Sequence, residues 1–250
     1  GSQGFGKIGF WEKRLQVQNG KCIWRMEEMI SSREGEGMEN KVMKFYSKAG
    51  SNIILRAIPG HFATSHSHIN YYVDMTGLKT RRSEAAAVGK AFVQRLPIET
   101  VVDTIVCLDG CEVIGAYMAE ELEVGNFPSM NMHNTVYVVT PEFNMNNQMI
   151  FRDNLVGEIQ GKNVLLLLAT TTTGMTMRRS LECIEYYGGK VQGICSVFSA
   201  VKSINGLRVE AMFDTSDIPG YQAYEVHNCP MCKAKQKLDA MVNGYGYSRL

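Results

Sequence analysis

Thr170, Thr171, Thr172 and Thr173 run straight into Gly174, and Thr176 follows close behind. Hydroxyls and the free N–H groups that open a helix can together surround a phosphate, and the helix dipole favours its charge. A glycine in such a turn lets the backbone approach the ligand closely. No lysine is required for that geometry. The alternative is a threonine-rich helix cap that holds no ligand. What lifts the stretch above a chance threonine run is its setting: the leucines 165–168 precede it and an amphipathic segment follows. Gly174→Val is expected to block backbone approach at little cost to the fold.

Two further groups could do chemistry. His61, His66 and His68 lie close together, and His66 and His68 fall on one face if the segment is a strand. A metal site there is conceivable, but no acidic or cysteine partner sits at ligand spacing. Base recognition or structural hydrogen bonding is the preferred reading. His227, Cys229 and Cys232 form H-x-C-x-x-C. Two thiolates are too few for a structural zinc unless Cys107 and Cys111 complete the set. A redox pair is another option. The expectation is a turn closed by Pro230 with packed thiols, and no metal. Gly4 to Gly9 matches G-x-G-x-x-G, but no strand precedes it, so the match reads as chance. No G-x-S-x-G is present, and no G-x-x-x-x-G-K leads into the threonine loop.

The elements that must hold these residues follow from periodicity. Residues 53–58, 101–108, 135–140, 164–168 and 191–198 read as strands, rich in apolar and β-branched side chains. Between them, Ser83 can cap a helix carrying Ala85, Val88, Phe92 and Leu96 on one face, and 113–122 reads as a second helix. A third places Met177, Leu181 and Ile184 together and ends at Gly188-Gly189. Alternating strands and helices predict an α/β fold with a parallel sheet covered on both faces. Ligands in such sheets sit at the carboxyl ends of the strands. Two turns therefore matter most, 109–112 and 170–176. Residues 141–161 are polar and Asn-rich, and read as a hairpin or a loop.

With these residues in place, the stretch VLLLLATTTTGMT resembles the signature of type I phosphoribosyltransferases, in which a hydrophobic strand leads to two acids and then a T-T-G-x-[ST] loop. The resemblance implies that fold, a parallel sheet flanked by helices with a small N-terminal hood. It also implies that Thr172, Thr173, Gly174 and Thr176 hold a 5′-phosphate. Gly60-His61-Phe62, Ser65, His68 and Tyr71-Tyr72 resemble the G-H-F…Y-Y segment of orotate phosphoribosyltransferases, which makes Phe62, Ser65, His68 and Tyr72 base-side candidates. Cys229-Pro230-Met231-Cys232-Lys233 is similar to a tail of some proteins of that kind. The resemblance further implies a phosphorylated ribose ligand, Mg²⁺ if the chain is catalytic, and a homodimer. Asp109, Gly110 and Cys111 become candidates for the turn that faces pyrophosphate.

The chain departs from that pattern in two places. Leu168 and Ala169 stand where the two acids belong. No Lys or Arg occurs between Leu96 and Phe151, the interval that should carry a basic catalytic loop. Arg81, Arg82, Lys90 and Arg152 are the candidates to replace its charge. The expectation is an orotate phosphoribosyltransferase-like protein whose transfer activity is weak or lost. The alternative is a sensor or partner protein that binds nucleotide on the same fold.

Composition narrows the classes. The chain has 250 residues, 45% of them apolar, with 26 basic against 25 acidic side chains. That balance gives no electrostatic case for nucleic acid or an acidic membrane. Seven cysteines at irregular spacing do not read as a secreted disulfide framework, and a reducing cytoplasm is expected. Gly1-Ser2 reads as an expression remnant, with Met26 or Met38 as alternative natural starts. The expected layout is an extension over 1–37, a main domain with its hood over 38–210, and a tail over 211–250.

Overall fold

The structure is a computed structural model that describes residues 11–18, 21–28, 41–125, 135–145 and 148–250. The glycine match at 4–9 and the expected linker at 31–37 lie outside the described residues. Two units are present, 1–40 and 41–250. In the first, β1 (Trp11–Gln18) and β2 (Lys21–Glu28) pair antiparallel.

In the second unit the chain begins with β3 (Met43–Ser47), β4 (Gly50–Ala63) and β5 (His68–Asp74), followed by α1 (Thr76–Thr80) and α2 (Arg82–Val93). Then come β6 (Thr104–Cys107), α3 (Glu112–Val124), β7 (Tyr137–Val139), β8 (Glu142–Phe143), β9 (Met149–Ile150) and α4 (Asp153–Val156). The motif itself spans β10 (Asn163–Thr171) and α5 (Met175–Tyr186), and β11 (Lys190–Ser199), β12 (Ser203–Ile204) and β13 (Leu207–Asp214) follow. The last stretch carries β14 (Ala223–Tyr224), α6 (Pro230–Lys233), β15 (Ala240–Asn243) and β16 (Gly246–Arg249).

The central sheet has the order β12-β13-β11-β10-β6-β7 and is parallel except at the β12 edge. The leucine run explains why β10 lies inside it: a strand buried on both faces has no room for alternation. Leu166 and Leu168 pack in one cluster with Met177, Leu181 and Ile184 of α5, all fully buried or nearly so. Each such side chain contributes roughly 1.5–3 kcal/mol when removed from water. At the amino ends of β6 and β10, the buried Asp103 carboxylate accepts from the backbone N–H and the side-chain amide of Asn163 at 2.8 and 2.7 Å. That end of the sheet is closed by structural polar contacts, and the other end is left for a ligand.

The smaller sheet has the order β14-β5-β4-β15-β16, with β3 on β4. Its first strands are the hood that the resemblance implies. Its last three come from the C-terminal segment, which folds back so that β15 runs parallel to β4 and β14 antiparallel to β5. The boundary expected at 210/211 falls inside β13. The strand expected at 53–58 runs on to residue 63, through a register shift between Pro59 and Phe62. Ser83 does not cap α2: the extended residue before the helix is Arg81, and Ser83 already lies within the first turn. Among the described residues of 141–161, β8 and β9 pair antiparallel and α4 follows. Among the described residues, no helix is long and apolar enough to cross a membrane.

Candidate functional site

Thr170 and Thr171 complete β10, and their neighbours across the sheet are Phe198 and Ser199 at the end of β11. Residues 172–174 then turn into α5. Gly174 is its N-cap, at φ 78° and ψ 2°, and no side chain caps the helix. The threonines therefore do not serve as the cap, and the first-turn N–H groups face outward without a side-chain acceptor. Gly174 is needed on two grounds. Its φ is left-handed, and an added Cβ would meet Ile204 Cδ1 at 3.3 Å. Gly174→Val thus strains the fold, contrary to the low cost expected from sequence.

A cavity of about 570 Å³ opens at this turn, and every residue from Thr170 to Thr176 lines it. Asp109 after β6, Pro141 and Phe143 after β7, and Phe198 of β11 line it too, all at the carboxyl ends of parallel strands. From the smaller sheet come Ser65, Tyr72 and the segment 242–245. Thr171 and Tyr221, both residues of this lining, carry buried hydroxyls with no hydrogen-bond partner among the described residues. A buried hydroxyl without a partner costs stability, so its persistence at a cavity points to a polar ligand.

Asp109 sits in the left-handed region at φ 56°, unusual for a residue with a side chain. Burial holds its carboxyl above the ordinary carboxylate value. The Lys79 ammonium and the N–H of Ala169 pull it back, and Glu112 adds to the rise. An added Cβ on Gly244 would collide with this carboxylate, so only glycine lets the C-terminal strand pass there. Lys79, itself only 5% exposed, donates from Nζ to the carbonyls of Asp109 and Gly244, at 2.6 Å each. It braces the 109–112 turn against the C-terminal segment and lies 5.8 Å from the Tyr245 ring centre.

The other candidates fall elsewhere. Gly110 and Cys111 are not part of the cavity wall. Cys111 is fully buried, and burial pushes its thiol up, as it does that of Cys107. Phe62 is fully buried behind Tyr72, with ring centres 6.0 Å apart. His68 turns away from the cavity to meet His61, Cys229 and Cys232. His227 lies in a short 3-10 turn outside that group, and Cys107 and Cys111 do not reach it. The replacement cations are committed elsewhere: Arg81 to Glu84 at 2.9 Å, Lys90 to Glu121 at 3.9 Å, and Arg152 to Glu142 at 2.6 Å. Arg82 lies over the Tyr117 ring. Leu168 and Ala169 are fully buried and do not line this cavity.

Sequence reasoning missed Lys79, Tyr221 and the 242–245 segment. A lysine between Leu78 and Thr80 looks like any helix lysine. Its partners are carbonyls, which leave no trace in residue type.

The sequence matches no family model and no curated protein. Solved structures do resemble it in fold. Orotate phosphoribosyltransferase of Mycobacterium tuberculosis H37Rv, in complex with inorganic phosphate, is 18% identical, over 60% of this chain and 80% of that one, with a TM-score of 0.43. Adenine phosphoribosyltransferase of Thermoanaerobacter pseudethanolicus is 14% identical, over 71% of this chain and 97% of that one, with a TM-score of 0.44. Hypoxanthine phosphoribosyltransferase of Trypanosoma cruzi is 13% identical, over 53% and 75%, with a TM-score of 0.36.

Proposed function

We propose that this chain binds a phosphorylated ribose compound, with its phosphate on the turn 172–176. The observation that carries this reading is the pairing, in one cavity wall, of an uncapped helix start with the orphaned Thr171 hydroxyl. The N–H groups at the start of α5 supply donors and a favourable dipole. The ribose then lies toward Asp109 and Thr171. The aromatic side of the cavity, with Tyr72, Phe143, Phe198 and Tyr245, takes the more apolar part of the ligand.

Transfer to orotate is absent or very slow in this reading. Release of pyrophosphate needs preorganised positive charge, and losing one such contact costs on the order of 10²–10³ in rate. The hairpin in the place of the basic loop offers Pro141 and Phe143 to the cavity, and its nearest guanidinium, Arg152, is held by Glu142. A second reading, an active transferase, is favoured by one observation. The Asp109 carboxylate supplies the cavity with an acceptor for a ribose hydroxyl that Leu168 and Ala169 do not. It is also the residue that would anchor Mg²⁺, which is held through one or two carboxylates and the ligand's own phosphates.

Titration calorimetry with phosphoribosyl pyrophosphate and with ribonucleoside monophosphates tests binding. Turnover of labelled orotate with and without Mg²⁺ tests catalysis. Binding without turnover supports the first reading, and Mg²⁺-dependent turnover near one per second supports the second. No binding of either ligand class overturns both. A homodimer is proposed on the sequence resemblance alone, and a monomer in sedimentation at micromolar concentration removes it.

A further inference from the structure

His61 and His68 face each other across the turn between β4 and β5, and the C-x-x-C of the tail closes over them. His61 Nε2 lies 3.1 Å from His68 Nδ1, 3.5 Å from Cys229 Sγ and 3.7 Å from Cys232 Sγ. Cys232 Sγ is 3.2 Å from His68 Nδ1. All four atoms lie within 4.8 Å of one another. Zinc bonds of about 2.3 Å to sulfur and about 2.0–2.1 Å to nitrogen place the corners of a tetrahedron roughly 3.3–3.8 Å apart. Four of the six pair distances, 3.1–3.7 Å, already lie near that spacing, and the other two are within 4.8 Å.

Hydrogen bonding alone accounts poorly for the arrangement. His61 Nδ1 faces the carbonyl of Gln236 at 3.0 Å. A carbonyl only accepts, so Nδ1 carries the proton and a neutral ring offers a lone pair at Nε2. Three polar atoms crowd that single lone pair, and His61 and Cys229 are fully buried. A histidine that donates one nitrogen to a backbone carbonyl and points the other at thiols has the supporting contact of a metal ligand. The backbone holds the pieces in place independently. The N–H of His61 donates to Asp239 Oδ2 at 2.7 Å, and the N–H of Asp239 donates to the His61 carbonyl at 2.8 Å. Cys229 is the N-cap of α6, with Pro230 at its first position, and Lys233 N–H donates to the Cys229 carbonyl.

We propose that His61, His68, Cys229 and Cys232 form a structural zinc site that fastens the C-terminal segment to the smaller sheet. The set is complete with four protein ligands and leaves no open position, which makes it structural and not catalytic. On binding, the two thiols lose their protons to solvent and the metal takes both sulfur lone pairs, with no change in oxidation state. The segment it fastens continues into β15 and then to residues 242–245, which line the cavity and which Lys79 ties to Asp109. The metal thus sets the position of one cavity wall without touching the ligand.

The full chain, purified under reducing conditions without chelator, is tested for metal by plasma mass spectrometry. About one zinc per chain is expected. Cys229→Ser and Cys232→Ser should each reduce it to near zero, whereas Cys183→Ser, away from the group, should leave it unchanged. Unfolding of a cysteine variant does not rescue or sink the idea, because cobalt replacement reads the parent chain directly. Stoichiometric Co²⁺ should give the d–d bands of a tetrahedral site together with thiolate-to-cobalt charge transfer. A chain that retains no zinc after dialysis against ZnCl₂ and gel filtration, and shows only the spectrum of aqueous cobalt, overturns the proposal. So does a Cys229–Cys232 disulfide in the freshly isolated protein.

Discussion

The turn 170–176 and the His61–His68–Cys229–Cys232 group are both places where polar atoms converge, and the chain assembles them in opposite ways. The turn is one continuous stretch. Its start is fixed by β10 in the middle of the parallel sheet and its end by α5, whose buried face packs on Leu166 and Leu168. Its shape is set by core packing before any ligand arrives. The cluster joins residues 168 positions apart, on a short tail whose strands have two to four residues. Short strand pairings and a few buried side chains, Ile218, Tyr221, Ala240 and Val242, hold that tail, and a shared metal would add to them what the wide sheet core supplies to the turn. Damage to the cluster should therefore spread through the fold, and damage to the turn should stay with the ligand.

The largest effect expected from this contrast is on stability. A ligand that binds only the folded state stabilises it by about 4 kcal/mol when present at about 1,000 times its Kd. For a domain of this size, each kcal/mol moves Tm by about 2–4 °C. Removing zinc with a strong chelator should lower Tm by roughly 8–16 °C in calorimetry, and added zinc should restore it. A chelator that leaves Tm within about 2 °C would mean the tail is held by its own packing, and the contrast would collapse.

Gly174→Val comes next and should affect stability and ligand binding but not the cluster. A β-branched residue at φ 78° costs about 1–3 kcal/mol, and its methyl groups close the approach to the helix start. Phosphorylated ribose compounds should no longer bind measurably in calorimetry, while zinc content stays at the parent's value. Thr171→Val sharpens the test, because it keeps shape and removes only the orphaned hydroxyl. Affinity should fall roughly two- to tenfold, the worth of one hydrogen bond to a neutral ribose hydroxyl, while stability without ligand stays level or rises. A valine variant that binds as well as the parent would place the ligand elsewhere.

The same contrast explains what the sequence made legible. The sheet, α5 and the phosphate turn were readable because hydrophobic period and turn chemistry are local properties of the chain. Met177, Leu181 and Ile184 announce their shared face by spacing alone. The cluster was only half readable, because its halves are non-local. His66 and His68 were paired as neighbours on one strand, but β4 ends at Ala63 and β5 begins at His68, with Ala63 opposite His68. The turn between them sends His66 to the cavity and brings His61 beside His68. The tail strands carry too few residues to show a period. From sequence, Asp109 is only a candidate for the turn that faces pyrophosphate. Its burial, its left-handed backbone and the lysine behind it are consequences of packing that no residue type encodes.

Asp109 also gives a smaller, pH-dependent effect. Its folded value is raised above the ordinary 3.8, chiefly by burial. The folded state therefore holds the proton more tightly than the unfolded chain. The stability this provides is fully present below 3.8 and is lost as pH rises through the folded value. Asp109→Asn should remove this fall, so the difference in unfolding free energy between variant and parent should grow in the variant's favour across that interval. Denaturant titrations from pH 3 to about pH 7 measure the difference directly and cancel the opposing contribution of Asp214, whose value is lowered by its Ser216 contact. A pH-independent difference would show that the carboxylate is better solvated than its surroundings suggest.

The smallest effect concerns Arg152, and its smallness is the point. From sequence, Arg152 was one of the cations available to replace the missing basic loop. In the structure its Nε and Nη2 both donate to Glu142 Oε2, at 2.9 and 2.6 Å, across the base of the β8–β9 hairpin. Glu142 is held below the usual carboxylate range by that contact, so the pair stays ionised and mutually engaged at neutral pH. Both groups are exposed, where water and salt screen an ion pair strongly. Arg152→Ala should therefore leave the affinity for phosphoribosyl pyrophosphate within about twofold of the parent's, the scatter expected of a surface change remote from the ligand. Glu142→Gln, which frees the guanidinium without removing it, should do the same. The two variants together decide the matter. If Arg152→Ala weakens binding tenfold while Glu142→Gln strengthens it, the hairpin closes over the ligand and delivers a cation after all. The second reading, an active transferase, would then take precedence.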